Sequence, residues 1–417
     1  MLVRLERGRL PLSDLLSSRE IEALAPRERD FLHELLLGSL RRRGAIDRAL
    51  DRVLDQPLQR LDVSVAAALR LGAHQLLHLR VPARAAVHES VELARERRPK
   101  SAGLVNAVLR RLAREGPPAA LDAQADPLAW LTAEGSLPPW LAERWLLTLG
   151  VERTLARARA LQMTPDVVFR LNPRRPEALE RARQAGLDPE PLAGPEGAFR
   201  ARMGRPGTLA REGLLYVQDL GSQVAARLAA RPGRVLDACA APGGKALLLA
   251  DAAPGSTIVA AESVQRRMAT LAQLVARWGA ANVRLVRADA ARPPFVAGFD
   301  SVLLDAPCSG LAMLARRPDI RWRARQEEIP RHAERQRRFL ESLSPLVAPS
   351  GTLVYAVCSL EPEETEAVVR AFLAAHRGFE PLPLPSWCEP FRAGPFALIS
   401  PERHGGDGFF VAPLRRR

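Results

Sequence analysis

The sequence predicts a multidomain protein: an all-helical N-terminal part, a small α+β middle module, and a C-terminal α/β domain built on a doubly wound parallel sheet. Three observations predict it. Apolar residues recur at helical spacing through about the first 115 residues. The period changes at Val167, where an apolar strand opens a short mixed stretch. From about Arg231, strands and helices alternate, the pattern of a parallel sheet covered on both faces. The expected divisions are 1–120 for the helical part, 121–164 for a linker and further helices, 165–230 for the mixed module and 231–417 for the α/β domain. A chain of 417 residues is long enough for two or three such cores.

In the helical part, Arg19 to Arg43 carries Ile21, Leu24, Phe31, Leu35, Leu36 and Leu40 at helical spacing. Val63 to Leu79 is apolar on most faces, which predicts a central, buried helix. Pro82 opens a helix through Val87, Val91 and Ala94. Ser101 to Arg114 closes the bundle with Leu104, Val105, Val108, Leu109 and Leu112. The cluster Arg41-Arg42-Arg43 and the pair Arg110-Arg111 are candidate phosphate contacts or solvated helix faces. His74, His78 and His88 lack metal-ligand spacing and read as packed or surface residues. Gly116 to Pro139 is rich in Pro, Ala and Gly and reads as a linker; Trp140 to Leu161 is helical again.

Val167 to Asn172 is a strand. Pro176 to Ala185 is a helix that Gly186 stops, and Leu209 to Gln218 offers short strands. Gln218 and Asp219 either order a neighbouring loop or cap the helix over Val224–Ala229. The α/β domain then reads as strands at 234–238, 257–261, 283–287, 300–304, 351–357 and 408–414. Helices fall at 244–251, 264–277, along a charged stretch to about 347, and at 362–375.

The centre of this domain is Val235-Leu236-Asp237-Ala238-Cys239-Ala240-Ala241-Pro242-Gly243-Gly244-Lys245, which reads as strand, tight loop and helix. Such a loop lets backbone approach a ligand at the mouth of a parallel sheet. It has no Gly-x-Gly-x-x-Gly triplet, which undercuts a nicotinamide dehydrogenase. Cys239 and Ala246 replace the first Gly and the hydroxyl of a phosphate-gripping loop. What remains is a nucleoside-type cofactor of little negative charge, with Glu262 about 20 residues on for its ribose. Asp237, Glu262, Asp289 and Asp305 each follow or end a strand, as do Cys239, Cys308 and Cys358. Two loops carry the chemistry: Asp305-Ala306-Pro307-Cys308-Ser309-Gly310 and Cys358-Ser359-Leu360-Glu361-Pro362-Glu363-Glu364. Two cysteines and an acid beside such a cofactor suit covalent attack on an electron-poor ring, with a thiolate as nucleophile. A helix N-terminus near Pro362 would favour that thiolate; the acids at 361, 363 and 364 oppose it unless they face away.

Composition narrows the partners. Net charge is +14 and the pI about 11.0, favouring a polyanion, nucleic acid before membrane. Of the 61 basic residues only Lys100 and Lys245 are lysine. A chain that avoids lysine keeps one in this loop, where an ammonium differs from a guanidinium fork. Four cysteines without Cys-x-x-Cys spacing exclude a disulfide scaffold, offer no metal site and fit a reducing cytoplasm. No apolar run reaches the ~20 residues of a membrane span, and Arg4, Arg7 and Arg9 break up any signal-peptide pattern.

Two resemblances follow. Arg27-Glu28-Arg29-Asp30-Phe31 with Leu37-Gly38, Ala73-His74-Gln75-Leu76-Leu77 and Val105-Asn106-Ala107-Val108-Leu109-Arg110 resemble the helical RNA-binding module of the NusB antitermination factor, over roughly the first quarter of the chain. Asp-Ala-Cys-Ala-Ala-Pro-Gly-Gly-Lys, Asp-Ala-Pro-Cys-Ser-Gly, Arg-Arg-Pro-Asp-Ile-Arg-Trp (316–322), Cys-Ser-Leu-Glu-Pro-Glu-Glu and Gly-Asp-Gly-Phe-Phe (406–410) resemble the 5-methylcytosine RNA methyltransferases of the Sun/RsmB, Nol1 and Nop2 family, over most of 165–417. The resemblance implies a Rossmann-like class I methyltransferase domain that uses S-adenosylmethionine, acting as a monomer on 16S ribosomal RNA. It implies that Cys239, Ala240, Ala241, Pro242, Gly243, Gly244 and Lys245 hold the methionine part of the cofactor, Glu262 its ribose, and that Asp289 lies by the adenine. It implies that Asp305 faces both cofactor and base and bonds the base near N3, that Cys358 attacks C6, and that Cys308 assists release. Pro-Cys loops carry the nucleophile in DNA cytosine methyltransferases, so Cys308 is the rival for attack. Cys239 reads as a small loop-lining residue and Cys388 as core. Where the family often has Thr-Gly-Thr after Gly310, this chain has Leu311-Ala312-Met313, which bears on the base pocket. The competing function is an RNA-binding assembly or antitermination factor with an inactive methyltransferase domain.

Overall fold

The computed structural model describes residues 1–6, 12–16, 18–201, 204 and 206–417; Arg7 and Arg9 lie outside them. The chain forms two compact units. One comprises Met1–Thr164 with Leu314–Ala324, the other Pro165–Met313 with Arg325–Arg417.

The first unit is helical. Its central helix, Val63–His78, begins at Asp62, whose side chain accepts from Ser64 N at 2.8 Å. Helices Arg43–Val53, Ala83–Arg97 and Ala102–Glu115 pack Leu50, Val91 and Leu109 around it. The periodic stretch from Arg19 to Arg43 is broken. Pro26 starts a fresh helix ending at Arg41, since a proline is tolerated in a first turn and not within a helix. Phe31 and Leu104, read as members of apolar stripes, are 45% and 40% exposed. The expected linker contains a helix, Pro127–Ala133, capped by Asp126, which accepts from Ala129 N at 3.0 Å. The 314–324 segment is fastened here by Arg321. This fully buried guanidinium donates to the carbonyls of Arg41 (3.1 Å), Gly135 (3.1 Å) and Leu161 (2.7 Å). Burial, then the Arg41 charge, pulls it down to about 9. The Trp322 indole donates to Leu40 O at 2.8 Å.

The second unit opens with a small antiparallel sheet of β1 (Val167–Leu171), β2 (Glu190–Pro191), β3 (Ala198–Ala201) and β4 (Leu215–Val217), in the order β2-β3-β1-β4. Residues 207–211, partly read as strand, are helical. From β1 the buried Arg170 pairs with Asp251, lies 4.6 Å over the Trp278 ring and donates to Gly244 O at 3.3 Å. The mixed module is therefore bolted to both ends of the helix that follows the small-residue loop, Gly244–Ala252.

The large sheet comprises β5 (Arg234–Asp237), β6 (Thr257–Ala261), β7 (Val283–Val286), β8 (Phe299–Asp305), β9 (Val347–Val357), β10 (Phe379–Pro381), β11 (Arg392–Ala393), β12 (Phe396–Ile399) and β13 (Phe409–Arg416). Its order is β11-β12-β13-β9-β8-β5-β6-β7, with β10 also on β13. Strands β5 to β9 pair in parallel, as the alternation predicts. The expectation of a wholly parallel sheet is corrected: β10 to β13 pair antiparallel. The short connection from β12 to β13 cannot make the crossover a parallel neighbour needs. Along β8 the faces alternate. Leu303 packs with helices Leu220–Ala229, Gly244–Ala252 and Gln265–Trp278; Val302 and Leu304 pack with Glu328–Leu343 and Glu366–Ala375. The charged stretch before β9 is helical only at Ile320–Arg323 and Glu328–Leu343, followed by a single 3-10 turn. Strand order reverses direction between β5 and β8, which is where ligands bind in such sheets. No helix among the described residues is long and apolar enough to cross a membrane.

Candidate active site

The reversal brings together the ends of β5, β6 and β8. Ala238 N donates to Leu303 O and Ala240 N to Ala261 O, both at 2.9 Å, so loop 238–243 is stretched across the carboxyl ends of β8 and β6. Arg267 braces it, donating to Ala241 O at 2.9 Å. Gly243 has φ +125°, and a Cβ on Gly244 would lie 2.4 Å from the Tyr216 ring. No larger residue fits at either position without displacement.

Asp237 is fully buried, and neither carboxylate oxygen has a hydrogen bond of normal geometry. Burial pushes its carboxyl up to about 7; Lys245 pulls it down, and Asp305 and Glu262 add to the rise. The Cys239 N–H also holds the carboxyl down but makes no hydrogen bond of normal geometry, and a buried acid so short of donors fits a ligand that brings one. Glu262 is also buried. One carboxylate oxygen accepts from Val264 N at 2.9 Å, and Arg267 stands 3.3 Å from the other. Ala288 N donates to Glu262 O at 3.2 Å, which sets Asp289 just beyond; Asp289 is exposed and accepts from Ala291 N at 3.0 Å. Burial, then the charges of Asp237, Asp305 and Glu262, push the Cys239 thiol up to about 12. A thiol held this high is a poor candidate nucleophile.

The candidate reactive groups meet beside this loop. Lys245 Nζ lies 2.6 Å from Asp305 Oδ2 and 5.3 Å from the Phe409 ring centre. Burial works against the Lys245 charge, but Asp305, through charge and hydrogen bond, outweighs it and raises the ammonium above its ordinary value; Asp237 and Cys358 add to this. Cys308 Sγ and Cys358 Sγ are 3.1 Å apart. The hydrogen bond to Cys358, then burial, then the Cys358 and Glu364 charges, hold Cys308 well above the usual thiol range. Ala312 N donates to Cys358 O at 3.3 Å and Gly408 N to Ala312 O at 2.8 Å. The divergent Leu311-Ala312-Met313 segment thus joins the second cysteine loop to the 406–410 motif, with Leu311 and Ala312 buried.

The site residues named from the sequence are collected at the strand ends, with Asp289 the exposed outlier. The anticipated helix N-terminus after Cys358 is a 3-10 turn, Pro362–Glu364; the regular helix starts at Glu366. Asp219 is a cap, accepting from Gly221 N at 3.1 Å, while Gln218 accepts from Arg170 Nε at 3.0 Å. Cys388 is core, its thiol pushed up to about 11 by burial. His74 is packed, and burial first holds it down at about 3. The phosphate role offered to Arg41 is corrected: Arg41 is buried and donates to Ala315 O at 3.0 Å. Arg42 is exposed, and the half-buried Arg43 lies 3.5 Å from Asp47 and 4.9 Å over Trp322. Arg110 is exposed and lines an open cleft of about 1070 Å³ with Arg84, Arg95 and Asn106. Phe409 and Glu364 stand in motifs taken from the sequence, Phe409 without a role and Glu364 only as an acid opposing the thiolate, and Gln336 was not singled out. Gln336 had a signal, a neutral polar residue in the apolar stripe Ile329, Ala333, Leu340, Leu343.

Comparison with known proteins is consistent with this geometry. Residues 226–415 match the family described as 16S rRNA methyltransferase RsmB/F, and residues 3–114 match the NusB family. The chain is 33% identical to the probable ribosomal RNA small subunit methyltransferase B of Bacillus subtilis (strain 168), over 100% of this chain and 97% of the relative. It is 31% identical to ribosomal RNA small subunit methyltransferase B of Escherichia coli O17:K52:H18, over 95% and 92%. Among solved structures, that of PH0851 matches with a TM-score of 0.84 and 26% identity, over 100% of this chain and 97% of that one. A methyltransferase homologue from Pyrococcus horikoshii matches with a TM-score of 0.59 and 27% identity, over 71% and 100%.

Proposed function

The chain belongs to the RsmB/F family of 16S rRNA methyltransferases, and from that premise we propose that it methylates C5 of a cytosine in small-subunit ribosomal RNA through a covalent bond from Cys358 to C6. The observation that carries this reading is the 3.1 Å pairing of Cys308 with Cys358 beside the 2.6 Å Lys245–Asp305 pair.

When bound, S-adenosylmethionine supplies an electrophilic methyl group. The loop residues Cys239 to Lys245 would hold its methionine part, with Asp237 accepting from the ammonium that its buried oxygens lack. Glu262 would accept from the ribose hydroxyls and Asp289 would lie by the adenine. Lys245 also belongs to the reacting centre, since its ammonium is spent on Asp305.

The target base must leave its stack to expose C6. Cys358, as thiolate, forms a bond to C6, and the displaced electron pair makes C5 nucleophilic. Asp305, held by Lys245, bonds the base near N3 through a proton taken from solvent and shared between its carboxylate and N3, which offsets the charge that develops there. After methylation the C5 proton departs to solvent, its electron pair restores the C5–C6 double bond, and Cys358 leaves as thiolate. Cys308, keeping its proton, hydrogen-bonds the departing sulfur. The 1–120 and 165–230 modules grip the RNA, with Arg84, Arg95 and Arg110 offering phosphate contacts along their cleft.

Incubation with labelled methyl donor and small-subunit RNA, followed by nucleoside mass spectrometry, tests the assignment. The expected product is 5-methylcytidine. Label on another atom, or none with the donor demonstrably bound, would overturn it.

A further inference from the structure

The acids after Cys358 appear in the sequence as opponents of a thiolate, yet two of them, Glu361 and Glu364, are buried. Glu364 is fully buried. Its Oε1 accepts from Ser309 N at 2.9 Å and Gln336 Nε2 at 3.1 Å; its Oε2 accepts from Ser359 Oγ at 2.6 Å and from Ser309 Oγ. Ser309 follows Cys308 and Ser359 follows Cys358, so a single carboxylate grips the residue next to each sulfur. The mount is rigid. Gln336 Nε2 also donates to Pro307 O at 3.1 Å, and the Tyr355 hydroxyl lies 2.6 Å from Glu364 O and 2.9 Å from Gln336 Oε1. A buried hydrogen-bonded carboxylate is costly to disturb, and such networks fix geometry when every member is satisfied.

We propose that Glu364 is a positioning residue for the methyl transfer: its carboxylate ties the Cys308 loop to the Cys358 loop, and its charge gives the two sulfurs their separate roles, Cys358 as nucleophile and Cys308 as its partner. The inference rests on the covalent reaction proposed above. The charge acts mainly through Cys308, which it discourages from becoming a second anion.

Glu364→Gln separates clamp from charge. The amide oxygen can accept from Ser309 N and Gln336, while the amide nitrogen donates to the two serine hydroxyls, whose protons rotate. The test uses the full chain without RNA first. Alkylation of each cysteine by iodoacetamide is followed against pH by peptide mass spectrometry, with circular dichroism checking the fold. In the wild type Cys358 should react first. In Glu364→Gln, Cys308 alkylation near neutral pH should rise, by roughly tenfold for each pKa unit that the lost charge accounts for. On RNA, kcat should fall with KM unchanged, because the carboxylate is buried beneath the loops. Ser359→Ala removes one strut and keeps the charge. It should lower kcat with the alkylation preference intact, and it keeps the clamp testable if Glu364→Gln does not fold. A folded Glu364→Gln with wild-type alkylation preference and kcat would overturn the proposal, as would wild-type kcat in Ser359→Ala. A wild type that transfers no methyl group to any RNA would overturn the reaction alone, while the alkylation ratios still decide the role of Glu364.

Discussion

Asp237 is the residue where stability and the proposed donor binding oppose each other. Its carboxyl is raised from 3.8 to about 7, burial being the main cause. The folded state therefore holds this proton more tightly than the unfolded chain. Folding loses stability as pH rises from about 4 to about 7, and the full cost persists above that. Without methyl donor, Asp237→Asn should raise Tm by a few degrees at pH 8, the gain shrinking as pH falls toward 5. The same variant should bind the donor at least about tenfold more weakly by calorimetry, having lost an ionic partner for its ammonium. Tight binding by the variant would remove Asp237 from the cofactor site. Lys245 makes the complementary case. Lys245→Met leaves the Asp305 charge unpaired and should cut methyl transfer by about 10²–10³ in kcat. Lys245→Arg should not restore it, since a guanidinium fork does not match a pocket built for a compact ammonium. Wild-type kcat in either variant would refute this role.

The loop between β5 and its following helix depends on a close approach. A Cβ on Gly244 would meet the Tyr216 ring at 2.4 Å. Gly244→Ala should destabilise the protein by about 1–3 kcal/mol in denaturant melts. Tyr216→Ala in the same chain should relieve much of that cost, whereas simple additivity would show that the two do not touch. At this scale the sequence was most readable. The loop glycines, Asp305 and both cysteines fall at strand ends because strand–helix alternation fixes where a parallel sheet opens. What escaped was set by tertiary packing. Arg170 looks like any arginine on a strand, yet it is buried between Asp251 and Trp278. Glu364 stands in a quoted motif, but its direction depends on Ser309 and Gln336, which arrive from other elements. Strands β10 to β13 are short or join by hairpin connections, so the helix alternation carried no signal for their antiparallel pairing.

For the whole molecule, the chain order and the structural units do not coincide. The helical unit takes Leu314–Ala324 from far along the chain, and Arg321 caps carbonyls of Arg41, Gly135 and Leu161 there. Residues 1–164 expressed alone would leave those carbonyls without their donor. They should melt at a lower temperature than the helical unit of the full chain, and a peptide of residues 314–324 should raise that Tm; no effect of the peptide would deny the segment a stabilising role. The Arg-Arg-Pro-Asp-Ile-Arg-Trp motif therefore serves structure through Arg321 and Trp322, which its sequence does not disclose. The central claim concerns chemistry, and covalent trapping tests it most directly. Small-subunit RNA carrying 5-fluorocytosine cannot lose the C5 substituent as a proton, so the bond to the enzyme persists after methylation. With S-adenosylmethionine present, peptide mass spectrometry should find the adduct on Cys358, and Cys358→Ala should abolish it. An adduct on Cys308, or no adduct from protein that binds both donor and RNA, would contradict the account.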